Sequence, residues 1–208
     1  MGLVTVKEVA RAVNLQRYGF FGTFMGWILV RLTKLSDINR FYDEHKELEG
    51  PDFLDAILEH YEIDFEIPED DFKRLPKEGP YITISNHPLG GIDGVLLLKL
   101  MLRKRPDFKI IANFLLHRVE PLAPYIMPVN PFENHRDAKS SIGGFKSALQ
   151  HLRDGHPLGI FPAGEVSTYR DGKLIVDRPW EESSLKLIRK AEVPVVPIYF
   201  HAKNSKLF

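Results

Sequence analysis

Apolar and polar positions follow two different patterns along the chain, and the pattern changes near residue 72. From Ser36, a candidate helix cap, to Tyr61 the apolar residues recur at helical spacing, and Pro51 is expected to divide this stretch into two helices. A run rich in proline and charged residues then indicates a connector. We therefore expect a helical region over residues 1–72 and a second domain over residues 73–208.

After residue 72, short apolar runs alternate with amphipathic stretches. The short runs are rich in Ile, Val, Phe and Tyr, which is typical of strands, and the stretches between them have helical spacing. This alternation predicts an α/β fold, in which helices cover a mixed sheet. The predicted strands are 81–85, 108–113, 125–129, 158–161 and 193–200, and the predicted helices are 92–104, 136–153 and 181–191.

The segment 18–32 is almost continuously apolar and is rich in aromatic residues and glycine. It is too short to span a bilayer, because a spanning helix needs about 20 apolar residues. Its aromatic residues, together with the flanking Arg17, Arg31 and Lys34, favour a helix that lies in the headgroup region of an anionic membrane. A helix buried in the protein core is the alternative.

The composition excludes several kinds of site. The chain has 208 residues, of which 44% are hydrophobic, so it can bury a real core. It contains no cysteine, which excludes disulfides, thiolate metal sites and a cysteine nucleophile. The histidines show no metal-binding spacing, so we predict no metal. Nothing at the N-terminus resembles a cleavable signal peptide, which favours the reducing, cytoplasmic side.

The net charge of zero conceals an uneven distribution of charge. Residues 1–36 carry +4, residues 37–71 carry −12, and residues 72–208 carry +8. A basic main body favours anionic partners such as phospholipid surfaces, phosphorylated carriers or acidic proteins. No motif that reads DNA or RNA accompanies it, so we do not expect a nucleic-acid partner.

The clearest candidate chemistry lies in ISNHPLGGIDG, residues 84–94. The predicted strand delivers His87 to the carboxyl end of the sheet, where open α/β folds bind their ligands. The turn that follows can bring Asp93, in the first turn of the next helix, back to one imidazole nitrogen, which leaves the other nitrogen to accept a proton. The segment predicts a general-base pair. A capping Asp93, with a His87 that only packs, is the alternative.

A shortened copy of this motif, GHPLGIFPAGE, occurs at 155–165. His156 precedes its strand, so we expect it at the amino end of the sheet, away from His87, as an ordinary turn residue. Glu165 follows the strand and is expected beside the candidate site. Its carboxylate could act on a substrate or could pair with a basic neighbour.

Three blocks in order along the chain carry a family resemblance: NHPLGGID (86–93), FPAGEVS (161–167) and VPVVP (193–197). Over roughly residues 75–208 they resemble the blocks N-H-x4-D, F-P-E-G-T-R-S and V-P-[IV]-x-P of the glycerolipid acyltransferase superfamily, also called the lysophospholipid acyltransferases. The spacing from His to Asp is one residue longer than in that pattern, and the third block has Ala, Glu and Val where the pattern has Glu, Thr and Arg. In these respects the chain looks like the bacterial hemolysin-like subgroup, which is related to the O-acyltransferases of ornithine and glycine lipids.

The resemblance implies an O-acyltransferase in which His87 and Asp93 are catalytic. The donor would be an acyl thioester of acyl carrier protein or coenzyme A, with no further cofactor, and the acceptor would be the hydroxyl of a lysolipid. The basic main domain favours the acidic carrier protein. The enzyme is expected to be peripheral or monotopic on the cytoplasmic face of the bacterial inner membrane, in contact with the membrane surface.

The same resemblance suggests where substrates bind. The stretch 127–137 stands where relatives have their acceptor-binding block, although it lacks their F-I-x-R core. Its polar side chains could bind an acceptor or make turn hydrogen bonds. The residues expected to position or bind substrates are Asn86, Gly90, Gly91, Asn130, Asn134, Arg136, Phe161, Pro162, Gly164, Glu165 and Ser167.

The acceptor follows from the altered third block. Val166 stands at the Arg position, and a neutral side chain cannot replace a guanidinium that binds phosphate. Glu165 would repel a phosphate and attract an ammonium group, which favours a lyso-aminolipid of the ornithine or glycine type. The alternatives are a 1-acylglycerol-3-phosphate acyltransferase, a non-catalytic lipid- or carrier-binding relative, and a thioesterase that would release free fatty acid without an acceptor.

Overall fold

A computed structural model of the protein describes residues 35–129, 138–170 and 174–202. The segment 18–32 lies outside these residues, as do Asn130, Asn134 and Arg136. In the described part of the chain, no helix has the length and apolar character needed to cross a bilayer.

Between residues 35 and 81, the structure describes three helices before the first strand: α1 (Leu35–His45), α2 (Gly50–His60) and α3 (Glu69–Arg74). Two helices were predicted for the first stretch, but Pro51 does not separate them. It lies in the first turn of α2, where a missing N–H removes no helical hydrogen bond. Ser36 lies inside α1 rather than at a cap position. The connector contains α3, whose acidic first turn and basic last turn complement the helix dipole.

The main sheet has five strands, and all of its pairs are parallel. Its order is β3-β2-β4-β1-β7, where β1 is Ile82–Ser85, β2 is Lys109–Asn113, β3 is Ile126–Val129, β4 is Leu158–Ile160 and β7 is Val195–Ile198. A separate antiparallel hairpin consists of β5 (Thr168–Arg170) and β6 (Leu174–Val176). The helices α4 (Gly91–Leu102), α5 (Ala138–Arg153) and α6 (Glu182–Ala191) alternate with the strands, and two short 3-10 helices cover Phe114–Arg118 and Glu120–Tyr125. The predicted α/β fold is therefore confirmed, but the main sheet is parallel where a mixed sheet was predicted, and the separate hairpin was not predicted.

Two hydrophobic clusters use alternate residues of the strands. Ile110 belongs to the cluster that contains buried residues of α1, α2 and α4, whereas Ile111 packs against the cluster formed with α5 and α6. Successive side chains of a strand point to opposite faces, so β2 contributes to both clusters, as β3 does through Ile126 and Met127. The helices of residues 35–60 thus share a cluster with the sheet. The domain boundary at residue 72 stays a prediction.

The order of the strands determines where the three sequence blocks meet. Strand β1 lies between β4 and β7, and both neighbours run parallel to it. The carboxyl ends of parallel strands lie at one edge of the sheet, so the segments that follow β1, β4 and β7 come together there. These segments contain His87, Phe161 and Phe200.

Candidate active site

The site is centred on a hydrogen bond between His87 and Asp93. The Nδ1 atom of His87 lies 3.0 Å from Oδ2 of Asp93, and the same oxygen accepts the backbone N–H of Leu89 at 2.7 Å. The Asp93 side chain is 0% exposed and that of His87 is 18% exposed. Asp93 thus closes the turn and also contacts the imidazole, so the two interpretations of this residue describe one arrangement.

The contact determines which nitrogen of His87 can act as a base. An ionised carboxylate only accepts hydrogen bonds, so Nδ1 must carry the hydrogen that it shares with Asp93. The lone pair then lies on Nε2, which can take a proton. Oδ1 of Asp93 is buried and has no hydrogen-bond partner within the described ranges. The buried charge of Asp93 would stabilise the imidazolium that forms when His87 is protonated.

A second side chain limits how the imidazole can turn. The ring of Phe161, which follows β4, stacks on the ring of His87 with centroids 4.2 Å apart and an angle of 27° between the planes. Phe161 was expected to bind substrate, and the structure places its ring on the imidazole of His87. The imidazole is therefore held at its edge by a carboxylate and at its face by an aromatic ring.

Asn86 connects the candidate site to the last strand. Its side-chain N–H donates to the carbonyl of Phe200 at 3.0 Å, and its side-chain oxygen accepts the backbone N–H of Phe200 at 2.7 Å. The amide group thus pairs with the segment after β7 much as another strand would. Asn86 acts on the position of the His87 turn, and its amide contacts protein backbone.

The glycine turn brings the third block close to the base. Gly90 has a φ of +68°, which side chains other than glycine rarely adopt, and it immediately precedes α4. A Cβ placed at Gly90 would lie 3.3 Å from Cγ2 of Val166. The apolar Val166 thus covers the turn, while Gly91 is exposed and its missing side chain would meet no atom within 4 Å.

Residues of the loop after β4 contact several other segments of the chain. Oε2 of Glu165 lies 3.0 Å from Nη1 of Arg178, with both side chains more than half exposed. Ser167 donates its backbone N–H to the carbonyl of His87 at 2.8 Å. Buried Pro162 accepts the backbone N–H of Glu181 at 2.8 Å. Glu165 therefore has a basic partner, and its charge does not face a substrate unopposed.

Asp177, to which the sequence motifs assigned no role, lies in this cluster. Its Oδ1 accepts the backbone N–H of His87 at 3.3 Å and the hydroxyl of Ser167. The available signal was the Asp-Gly pair at 171–172 between two short β-prone runs, which is typical of a hairpin. That hairpin would have returned the chain, with Asp177, to the loop of Ser167.

The repeated motif places His156 at the other edge of the sheet. His156 precedes β4, and its Nδ1 lies 2.7 Å from Oδ2 of Asp107, which precedes β2. The same carboxylate accepts two hydrogen bonds from the guanidinium of Arg105, at 2.9 and 2.6 Å. The hydrogen bond from Arg105, reinforced by the one from His156, lowers the pKa of Asp107 to about 2. His156 is thus part of an ion-pair network, where only a turn residue was expected.

Arg105 also fixes the backbone around that network. The buried guanidinium donates to the carbonyl of Gly79 at 2.6 Å and to the carbonyl of Gly155 at 3.1 Å. Burial raises the pKa of the neighbouring Tyr81 to about 12, and burial lowers the pKa of His151, whose ring lies 5.0 Å from that of His156. The guanidinium of Arg105 is thus directed at protein groups, while the buried hydroxyl of Tyr81 has no hydrogen-bond partner among the described residues.

Across the described ranges, no three His, Asp or Glu side chains converge as metal ligands would.

The residues that the sequence predicted for the site differ in where they lie. His87 lies in direct contact with Asp93, Phe161 and Ser167, whereas the stretch around Asn130 falls outside the described residues.

Comparison with known proteins agrees with the three blocks and their placement. The family described as "Acyltransferase" matches residues 7–208. A lyso-glycine lipid O-acyltransferase of Bacteroides thetaiotaomicron is 32% identical over 210 residues, which is 99% of this chain and 73% of the relative. A protein of the same name from Phocaeicola vulgatus is 29% identical over 209 residues, which is 99% of this chain and 71% of the relative. The chain belongs to the acyltransferase family, and the resemblance to the glycine-lipid group of glycerolipid acyltransferases is confirmed.

Proposed function

We propose that the protein transfers a fatty acyl group from an acyl thioester to the hydroxyl of a lyso-aminolipid, with His87 as the general base. The observation that carries this proposal is the His87–Asp93 hydrogen bond at the carboxyl edge of the sheet. It is supported by similarity, over 99% of the chain, to a protein named lyso-glycine lipid O-acyltransferase. The same similarity supports an acceptor that is a lysolipid.

The reaction needs one base and no covalent enzyme intermediate. Nε2 of His87 takes the proton of the acceptor hydroxyl as the oxygen attacks the thioester carbonyl. The tetrahedral intermediate then breaks its carbon–sulfur bond, and His87 returns the proton to the departing thiolate. The products are an acyl ester and the free thiol of the carrier. Asp93 holds the tautomer and stabilises the transient imidazolium.

The negative oxygen of the intermediate needs hydrogen-bond donors. The first amides of a helix have no acceptor within that helix and carry a partial positive charge. Helix α4 begins at Gly91, four residues after His87, and Gly91 leaves open space around its backbone. We assign the oxyanion donors to this turn, which is consistent with its two glycines.

The acceptor headgroup is the finer part of the proposal. Val166 lies on Gly90 at the position where phosphate-specific relatives have an arginine, so this side of the site is apolar. Because Glu165 pairs with Arg178, it offers an ammonium group less attraction than its charge alone suggests. The pairing favours the glycine type, which lacks the ammonium group of the ornithine type. The free carboxylate of a glycine headgroup could also compete with Glu165 for the guanidinium of Arg178.

The runner-up is acylation of lysophosphatidate, and the exposed guanidinium of Arg178 is the observation that favours it. Arginine binds phosphate through strong, charge-assisted hydrogen bonds. Both acceptors can be offered to the purified protein, with acyl carrier protein and coenzyme A thioesters of the same chain as donors. The proposal predicts a higher kcat/KM for the 3-hydroxyacyl amide of glycine, and a higher kcat/KM for lysophosphatidate would overturn this choice of acceptor.

The same assay separates the remaining alternatives. Mass spectrometry of the lipid products distinguishes an ester from free fatty acid, which a thioesterase would release without acceptor. A folded protein that binds acyl carrier protein but releases no thiol would be a non-catalytic relative. The charge of +8 over residues 72–208 favours acyl carrier protein as donor, and a preference for coenzyme A would contradict that part of the proposal.

We also propose that the enzyme works at the cytoplasmic face of the bacterial inner membrane, attached through residues 18–32. The apolar, aromatic and basic-flanked composition of this segment supports attachment to anionic lipids. Sedimentation with anionic vesicles should decrease when the segment is deleted, and binding of the intact chain should weaken with salt. Equal sedimentation of both proteins would show that the segment does not bind the membrane.

A further inference from the structure

Asp177 connects two loops that the candidate site needs close together. It directly follows β6, and one of its oxygens, Oδ1, receives the backbone N–H of His87 at 3.3 Å and the hydroxyl of Ser167. His87 and Asp177 are 90 residues apart in sequence. The contact therefore results from the tertiary fold, which returns the hairpin β5–β6 to the end of β1.

The backbone of His87 is hydrogen-bonded on both sides by this connection. Its N–H donates to Asp177, and its carbonyl accepts the backbone N–H of Ser167 at 2.8 Å. A residue has one backbone donor and one backbone acceptor, so both groups of His87 are used. Asp93 and Phe161 orient the imidazole, while Asp177 and Ser167 determine where its backbone lies.

The carboxylate of Asp177, as a hydrogen-bond acceptor, suggests a test by substitution. Hydrogen bonds to an ionised carboxylate are roughly twice as strong as those between neutral groups. The hydrogen bonds from His87 and from Ser167 nevertheless use the same oxygen of Asp177, Oδ1. An Asn at this position can place a carbonyl oxygen there and accept both donors, whereas an Ala can accept neither.

We propose that Asp177 is a positioning residue for acyl transfer, which acts by holding the backbone of His87 against the loop of Ser167. This inference rests on the proposed function, in which His87 is the base. Displacement of a catalytic group by about 1 Å can reduce a rate by about 100-fold. Loss of Asp177 should therefore slow the chemical step more than it weakens substrate binding.

The first experiment compares Asp177→Ala and Asp177→Asn in purified, full-length protein. We expect Asp177→Ala to lower kcat about 10- to 100-fold with KM within about threefold, and Asp177→Asn to restore most of kcat. Asp154→Ala is the matched control, because Asp154 is exposed, accepts a hydrogen bond from Gln150 at 2.7 Å and precedes β4, at the opposite edge of the sheet from His87. A folded Asp177→Ala protein with normal kcat, or with its whole loss in KM, would overturn the proposal.

Ser167→Ala provides a second variant if Asp177→Ala does not fold. It removes the hydroxyl contact with Asp177 but retains the backbone N–H that donates to His87. We expect kcat to fall about 3- to 10-fold, since one hydrogen bond to a charged acceptor is lost. An unchanged kcat would show that this connection does not position the base.

Combination with His87→Ala separates this inference from the proposed function. A residue that acts through His87 should have no further effect on the residual turnover once the imidazole is gone. An additional loss in the double variant of about tenfold or more would refute the positioning role. Full activity of His87→Ala alone would instead refute the assignment of His87 as base.

Discussion

Two histidine–aspartate pairs, His87–Asp93 and His156–Asp107, lie at opposite edges of the main sheet. In the pair His87–Asp93, the carboxylate is buried and receives the imidazole and one nearby amide. In the pair His156–Asp107, the carboxylate is shared with the guanidinium of Arg105. The two nitrogen–oxygen distances, 3.0 and 2.7 Å, do not distinguish a base from a structural contact.

The difference lies in what surrounds each pair. The carboxyl edge gathers the ends of three parallel strands around His87, and the opposite edge directs its polar groups at backbone carbonyls. A carboxylate that is committed to a guanidinium has less capacity to stabilise a neighbouring imidazolium. The same four letters, HPLG, therefore have different consequences before and after a strand.

Removal of the two imidazoles is the strongest test of this comparison. His87→Ala should lower kcat by about 10²- to 10⁴-fold, because the proton of the acceptor hydroxyl loses its base. His156→Ala should leave kcat within about twofold of the wild-type value. Thiol release under saturating donor and acceptor measures both. Similar losses of kcat in the two variants would show that the edge of the sheet at which a histidine lies does not determine its role.

Replacement of a carboxylate by an amide should also affect the two pairs differently, and the larger loss of activity is expected at Asp93. Asp93→Asn should lower kcat about 100-fold or more, because an amide can reverse the tautomer of His87. Circular dichroism should show an intact fold, since an Asn oxygen can still accept the amide of Leu89. Near-normal turnover in this variant would contradict the orienting role of Asp93.

Each histidine also has a ring beside it, which gives a smaller test. Phe161→Leu should lower kcat about 2- to 10-fold, since stacking between rings contributes about 0.5–1.5 kcal/mol. His151→Leu, beside His156, should leave kcat unchanged. Equal losses of kcat in Phe161→Leu and His151→Leu would contradict the different roles of His87 and His156.

Asp107→Asn should affect stability and leave activity within about twofold of wild type. The pKa of Asp107 lies at about 2 in the folded protein, below its ordinary value of 3.8, so ionisation of Asp107 stabilises the fold above pH 3.8. That contribution is lost as the pH falls from 3.8 toward 2. The difference in free energy of unfolding between wild type and variant should be largest near neutral pH and should shrink over that interval. Urea unfolding at several pH values measures it, and a constant difference would contradict the ion-pair account.

Sequence patterns predicted the elements that depend on local order. The strands of the main sheet and α4 follow from runs of apolar residues, and the motif order placed His87 at a strand end. The break between α1 and α2 was wrongly attributed to Pro51, because proline at the start of a helix costs no hydrogen bond. The parallel order of the strands is not local and could not be obtained from periodicity.

Contacts across long sequence separations were the ones that sequence reasoning missed. Asp177 contacts His87 from 90 residues away, and Asn86 contacts Phe200 from 114 residues away. Asp107 approaches His156 only because their strands are neighbours in the sheet. Charge and spacing alone cannot reveal such partners, since they depend on which strands pair.

The position of β1 also affects the order in which the enzyme becomes active during its synthesis. Within the sheet, β1 pairs with β4 and β7, which the ribosome makes much later. The hydrogen bond of Asn86 to the backbone of Phe200 likewise cannot form until Phe200 has been made. Chains are made at about 5–20 residues per second, so His87 exists for several seconds before β4 and β7 do. A nascent chain thus carries His87 without β4, β7 and Phe200, and the arrangement of the candidate site can form only after residue 200 has been made.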